Sequence, residues 1–140
     1  MNITLKQTIE GVDWVELASV FERAPLGTRL PEKLAIRFRN SYAVCFAYDG
    51  DRLIGAARAI SDGDEHAAVY DVILLPEYQG QGVGRLIMED LMARLDVPTV
   101  ILFAVPGKEG FYQKLGFSKM TTAMGRFPNA DIMRKHGYIE

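Results

Sequence analysis

The chain has 140 residues, 49% of them hydrophobic, with a formal net charge of −2 at pH 7 and a single cysteine, Cys45. This length carries one domain, 1–140, whose core needs neither disulfide nor metal. The lack of a basic block argues against nucleic acid or an anionic membrane as partner, no apolar stretch reaches the roughly 18 residues of a membrane span, and a lone cysteine fits a reducing compartment.

The N-terminus has no basic-then-apolar leader pattern, so the expected location is the cytoplasm. Residues 2–7 alternate apolar and polar and read as a first strand. Asp13 is placed to cap a helix carrying Trp14, Val15, Leu17, Ala18 and Phe21. Pro31 suits the first turn of a second helix over 32–39. Residues 41–48 and 52–60 flank Asp49-Gly50-Asp51, a hairpin signal, because the turn wants positive φ. Cys45 lies in an apolar run and reads as a buried small side chain. After a turn at 61–65, residues 67–75 form a third long strand ending at Pro76.

Residues 83–95 are helical, with Leu86, Ile87, Leu91, Met92 and Leu95 as the apolar face. The unbroken run 100–105 reads as a central strand covered on both sides. A short helix over 108–115 closes at Gly116. Residues 117–124 read as a last strand or two short ones, and 130–136 as a final helix. The strand–helix–strand unit over 67–105 implies a parallel pair, and the meander before it is antiparallel.

The richest segment is Tyr70-Asp71-Val72-Ile73-Leu74-Leu75-Pro76-Glu77-Tyr78-Gln79-Gly80-Gln81-Gly82-Val83-Gly84-Arg85. A strand meets a proline, then glycines stand at alternate positions, then a helix begins. Such a junction leaves N–H groups at a helix N-terminus without intrahelical partners, carrying about half a positive charge. Phosphate or pyrophosphate is the natural occupant. The spacing is neither the G-x-G-x-x-G of a Rossmann turn nor a Walker loop. A tight turn needing glycine for shape alone is the competing explanation.

Gln79-x-x-Gly82-x-Gly84 after Pro76-Glu77-Tyr78 resembles the acyl-CoA-binding motif of the GCN5-related N-acetyltransferase (GNAT) family. The stretch Phe111-Tyr112-Gln113-Lys114-Leu115-Gly116-Phe117 is similar to that family's C-terminal landmark. A weaker likeness points to its arylalkylamine, serotonin-type branch. The resemblance implies an α/β fold: a mixed six- to seven-stranded sheet with helices on both faces. It implies acetyl-CoA as cosubstrate, no metal, and direct transfer of acetyl to a primary amine in a ternary complex. The acceptor is a small-molecule or peptide amine. A CoA-binding regulatory domain of the same fold without turnover is the alternative. Dimers are common in the family, so a homodimer is an expected assembly, and the tail after Pro128 could pack across it.

By the same resemblance, a bulge splays the strand at 70–75 from that at 100–105. The backbone of Val72, Ile73 and Leu74 then pairs with the pantetheine arm. Gln79, Gly80, Gln81, Gly82, Val83 and Gly84 cradle the pyrophosphate, and Arg85 either adds a charge contact or is solvated. Tyr112 falls on the family's general-acid tyrosine, and anchoring its helix is its other reading. Asp71 interrupts an apolar strand, and a polar side chain there needs a partner or a task. It is the candidate base, a cation anchor, or a hydrogen-bond partner of a loop, while ordered water can replace a base. Strand alternation turns Tyr70 the other way.

Overall fold

The computed structural model describes residues 1–140, which divide into two units, Met1–Leu102 and Phe103–Glu140. In the first unit, β1 (Ile3–Lys6), β2 (Ala43–Asp49), β3 (Arg52–Ser61), β4 (His66–Leu74) and β5 (Thr99–Ile101) form one sheet in that order. Neighbours are antiparallel except β4 and β5, which are parallel. The sheet is therefore mixed, as expected, but has five strands rather than six or seven.

Asp13 starts α1 (Trp14–Arg23), its carboxylate accepting from the Val15 and Glu16 N–H groups. Pro31 opens α2 (Pro31–Arg39), where its missing N–H costs no helical bond. Gly50 takes φ 58 in the β2–β3 turn, a value natural to glycine. Trp14 of α1, Phe38 of α2 and Phe46 of β2 pack in tilted and edge-to-face contacts, with ring centroids 5.2–6.3 Å apart. The next residue back, Cys45, is fully buried and faces Asp90 of α3 (Val83–Leu95). Successive strand residues point to opposite faces, so α1 and α2 cover one side of the sheet and α3 the other. Burial, then the nearby Asp90 carboxylate, pushes the Cys45 thiol up to about 12, which makes it an inert core residue.

Helix α3 buries Val83, Ile87, Met88, Leu91 and Leu95. Leu86, expected on that face, is 47% exposed, and Met88 takes its place. Gly55 marks a close approach, because a Cβ there would lie 2.7 Å from the Ile73 carbonyl oxygen.

The run 100–105 is not a doubly covered strand. Only Thr99–Ile101 pair, at the sheet edge, and Ile101 is exposed. In the second unit, α4 (Glu109–Gln113) ends in a Schellman arrangement: the Gly116 N–H donates to Gln113 O and the Phe117 N–H to Tyr112 O. Gly116 takes φ 94 there. Residues 117–124 form no strand, and Met124 is 95% exposed. Alternation needs a neighbouring ladder to become a strand, and no strand pairs with this segment. Asn129 caps α5 (Ala130–Lys135) by accepting from the Ile132 N–H.

Candidate active site

Strands β4 and β5 pair only at His66–Thr99, Ala67–Val100 and Ala68–Ile101. Past Ala68, β4 continues to Leu74 with β3 on one side and no β5 partner on the other. In this stretch the β3–β4 register slips. Ala56 faces Ile73 and Arg58 faces Tyr70, so Ala57 alone faces both Asp71 and Val72. This is a β-bulge in β4, with Asp71 in left-handed backbone at φ 55. The bulge expected from the resemblance is thus present, on the strand that runs into the glycine loop.

The bulge changes side-chain directions as well. Arg58 Nε donates to Asp71 Oδ2 at 2.6 Å, and its guanidinium lies 5.2 Å from the Tyr70 ring centroid. One guanidinium therefore reaches both residues. The simple alternation that set Tyr70 opposite Asp71 fails here, because the extra residue breaks the two-residue period.

After Leu74 the chain makes a 3-10 turn, Pro76–Tyr78, and enters the glycine loop. Gly80 and Gly82 take φ 77 and 85. Gly82 is the N-cap of α3 and, having no side chain, caps nothing. The first intrahelical bond runs from the Leu86 N–H to Gly82 O, which leaves the Val83, Gly84 and Arg85 N–H groups without helical partners. A Cβ added to Gly80 or Gly82 would meet nothing within 4 Å, so the space over the loop is open. The contrast with α1 is informative: there Asp13 satisfies the same kind of N–H groups. Open space, free donors and the positive helix end together suit a diphosphate.

The remaining loop residues hold its shape. Gln79 Nε2 donates to Leu74 O and Gln81 Nε2 to Glu77 O, both at 3.0 Å, so these amides brace the loop's own backbone. Val83 is buried and anchors the helix start. Arg85 pairs with Glu89 one turn along, with both side chains largely exposed. Tyr78 donates to Asp49 Oδ2 at 2.6 Å, which ties the turn to the β2–β3 hairpin.

Glu77 accepts from Arg23 at 2.7 Å and from Arg52 at 3.0 Å. Its own backbone N–H first, then Arg23 with help from Arg52, hold its carboxyl down to about 2, below the ordinary value of 4.5. A lowered folded-state value means the contact stabilises the fold fully above about pH 4.5 and loses that effect as pH falls toward 2. A Glu77→Gln protein should therefore show a shallower decline of melting temperature between those pH values, as calorimetry can read.

In the second unit Tyr112 lies on α4, half-buried between Phe111 and Phe117, with ring centroids 5.0 and 6.0 Å away. Burial pushes its phenol up to about 12, so the proton stays on oxygen at neutral pH. No group of three or more His, Cys, Asp or Glu side chains is gathered as a metal site. No helix is long and apolar enough to cross a membrane.

Sequence reasoning missed Arg58 and Glu77. The available signal for Arg58 was a lone charge in an apolar strand, matched by the lone Asp71 on the next strand. Glu77 carried no comparable signal, because its partners Arg23 and Arg52 come from elements remote in sequence.

The sequence pattern of the family described as Acetyltransferase (GNAT) domain matches residues 40–119. A protein of Porphyra purpurea named uncharacterized N-acetyltransferase ycf52 is 34% identical over 122 residues, covering 82% of this chain and 63% of the relative. A rice protein (Oryza sativa subsp. japonica) named serotonin N-acetyltransferase 2, chloroplastic, is 35% identical, covering 84% of this chain and 62% of the relative. The chain thus spans about three fifths of the length of these curated relatives. The solved structure of a GNAT-family acetyltransferase from Streptococcus pneumoniae superposes with a TM-score of 0.74 at 27% identity, covering 89% of this chain and 96% of that one. The bulged, half-paired β4, the uncapped helix behind the glycine loop and these likenesses converge: the chain belongs to the GNAT acetyltransferase family.

Proposed function

We propose that this protein transfers an acetyl group from acetyl-CoA to a primary amine by direct attack in a ternary complex. The observation that carries the proposal is the α3 N-terminus, whose N–H groups lie uncapped under open space at the end of a bulged strand. Acetyl-CoA would supply an activated thioester and a thiol leaving group. The Val83, Gly84 and Arg85 N–H groups would hold its diphosphate. The glycines at 80 and 82 keep side chains out of the way, and Gln79 and Gln81 keep the loop in shape. The backbone of Val72, Ile73 and Leu74 would take the pantetheine amides along the open edge of β4, as an added strand does.

Chemistry at the amine needs a neutral nitrogen, since a free alkylamine resembles lysine, near 10.4. In this proposal ordered water takes the proton, because the Asp71 carboxylate is engaged by Arg58. Tyr112, by the family likeness, presents its phenolic proton to the sulfur as the carbon–sulfur bond breaks. A phenol near 12 is a weaker acid than a thiol near 8.5, so the hydrogen bond, rather than complete transfer, is what stabilises the developing thiolate. The proton is completed on sulfur from solvent. The acceptor is a small-molecule or peptide amine. A relative is named for serotonin, which puts arylalkylamines first among acceptors to try, followed by polyamines. A cytoplasmic homodimer completes the proposal.

Acetyl-CoA at a hundred times its dissociation constant should stabilise the fold by about 2.7 kcal/mol, raising the melting temperature by roughly 5–10 °C, whereas NAD and ATP should not. Thiol release with a panel of amines then reads turnover. Stabilisation without turnover across the panel would support the CoA-binding regulatory alternative, and no shift with acetyl-CoA would refute both.

A further inference from the structure

Two non-glycine residues have left-handed backbone, Asp71 and Asp96. Asp96 has an ordinary reason, since it is the C-cap of α3. Asp71 lies inside a strand, where this conformation is strained for an L side chain and persists only if its surroundings enforce it. The enforcing group is Arg58. Its Nε donates to Asp71 Oδ2 at 2.6 Å, its guanidinium stacks on Tyr70, and its Nη1 lies 3.5 Å from Ser41 Oγ. The two side chains are only 12% and 19% exposed, so water competes little for the pair. Arg58 is also the β3 residue that resumes regular pairing after the slip, facing Tyr70. It therefore touches both residues at the N-terminal side of the bulge.

We infer that Arg58 is a positioning residue: its guanidinium locks Asp71 in the left-handed bulge and so fixes the Val72–Leu74 backbone that would take the pantetheine amides. Asp71 then serves as the other half of the latch instead of collecting the amine proton. This inference rests on the acetyl-CoA reading for its functional consequence, though the latch itself is a conformational claim. Arginine suits the position because one planar group can pair with a carboxylate and stack on a ring at once.

Two readouts separate the claims. The first is the Cα and Cβ chemical shift at residue 71, which reports left-handed or extended backbone without any ligand. In wild type it should be left-handed, and in Arg58→Met it should move toward extended values. The second is acetyl-CoA affinity with the split between KM and kcat. Arg58→Met should weaken acetyl-CoA binding at least tenfold and raise KM for it more than it lowers kcat. Asp71→Gly accepts positive φ unaided, so the double variant Arg58→Met/Asp71→Gly should regain at least threefold of the lost affinity. Asp71→Val, β-branched and hostile to positive φ, should bind at least tenfold more weakly than Asp71→Gly. Unmoved shifts in Arg58→Met, or no recovery in the double variant, would overturn the latch. If wild type shows the left-handed shift but no acetyl-CoA binding, the latch stands and the cosubstrate assignment falls.

Discussion

Replacing Gly82 by aspartate should weaken acetyl-CoA binding at least a hundredfold, which corresponds to about 2.8 kcal/mol. Two causes act together. Gly82 takes φ 85, where an L side chain is less at ease than glycine and where aspartate and asparagine are the best tolerated replacements. The new carboxylate also projects into the open space over the loop and places a negative charge where the diphosphate belongs. Asparagine separates these causes, since it shares aspartate's shape and its tolerance of left-handed backbone but carries no charge. Gly82→Asn should bind at least tenfold more tightly than Gly82→Asp, and calorimetric titration reads both. Raising the salt concentration should narrow the gap between them, because screening weakens the repulsion. Equal losses in the two variants would mean that shape alone matters and that the helix end does not act as an anion site.

Tyr112→Phe should lower kcat roughly ten- to a hundredfold while leaving acetyl-CoA affinity within about twofold. The range follows from the loss of one hydrogen bond to a group that becomes charged, about 1.5–3 kcal/mol. Phenylalanine keeps the ring that packs against Phe111 and Phe117, so α4 should stay in place. The phenol is held up to about 12, so its deprotonation should not produce an alkaline limb in the rate below about pH 10. The sign for stability follows the same logic. A raised value favours the protonated fold, so Tyr112 contributes fully below about pH 10 and loses its contribution as pH rises toward 12. An unchanged kcat in steady-state assays of the variant would remove Tyr112 from the reaction.

The parts of the fold that were legible in the sequence are those decided locally. Asp13 reads as a cap because its side chain serves its own helix, and it does so. Asp49-Gly50-Asp51 reads as a hairpin because the turn sets the register of both strands. The helix over Val83–Leu95 and the glycine loop before it were likewise visible. What stayed hidden depends on neighbours distant in sequence. An apolar run such as 100–105 cannot announce whether it will be a central strand or an edge, since the composition is the same. Here the strand stops at Ile101, and its edge position leaves Ile101 exposed. The bulge was expected only by family likeness. No local pattern marks Asp71 as left-handed, because the conformation is imposed from β3 by Arg58. The candidate site divides the same way: its backbone donors follow from glycines that can be read directly, whereas the ion pairs that shape it, Arg58 with Asp71 and Glu77 with Arg23 and Arg52, form only after folding.

If the unpartnered amides at the head of α3 grip a diphosphate, a titration of isotope-labelled protein with CoA will register it in the backbone amide resonances. The Val83, Gly84 and Arg85 N–H signals should move farthest, downfield, and saturate together with the Val72–Leu74 signals. Amides that stayed still while CoA bound, or shifted residues clustered elsewhere on the chain, would contradict that grip.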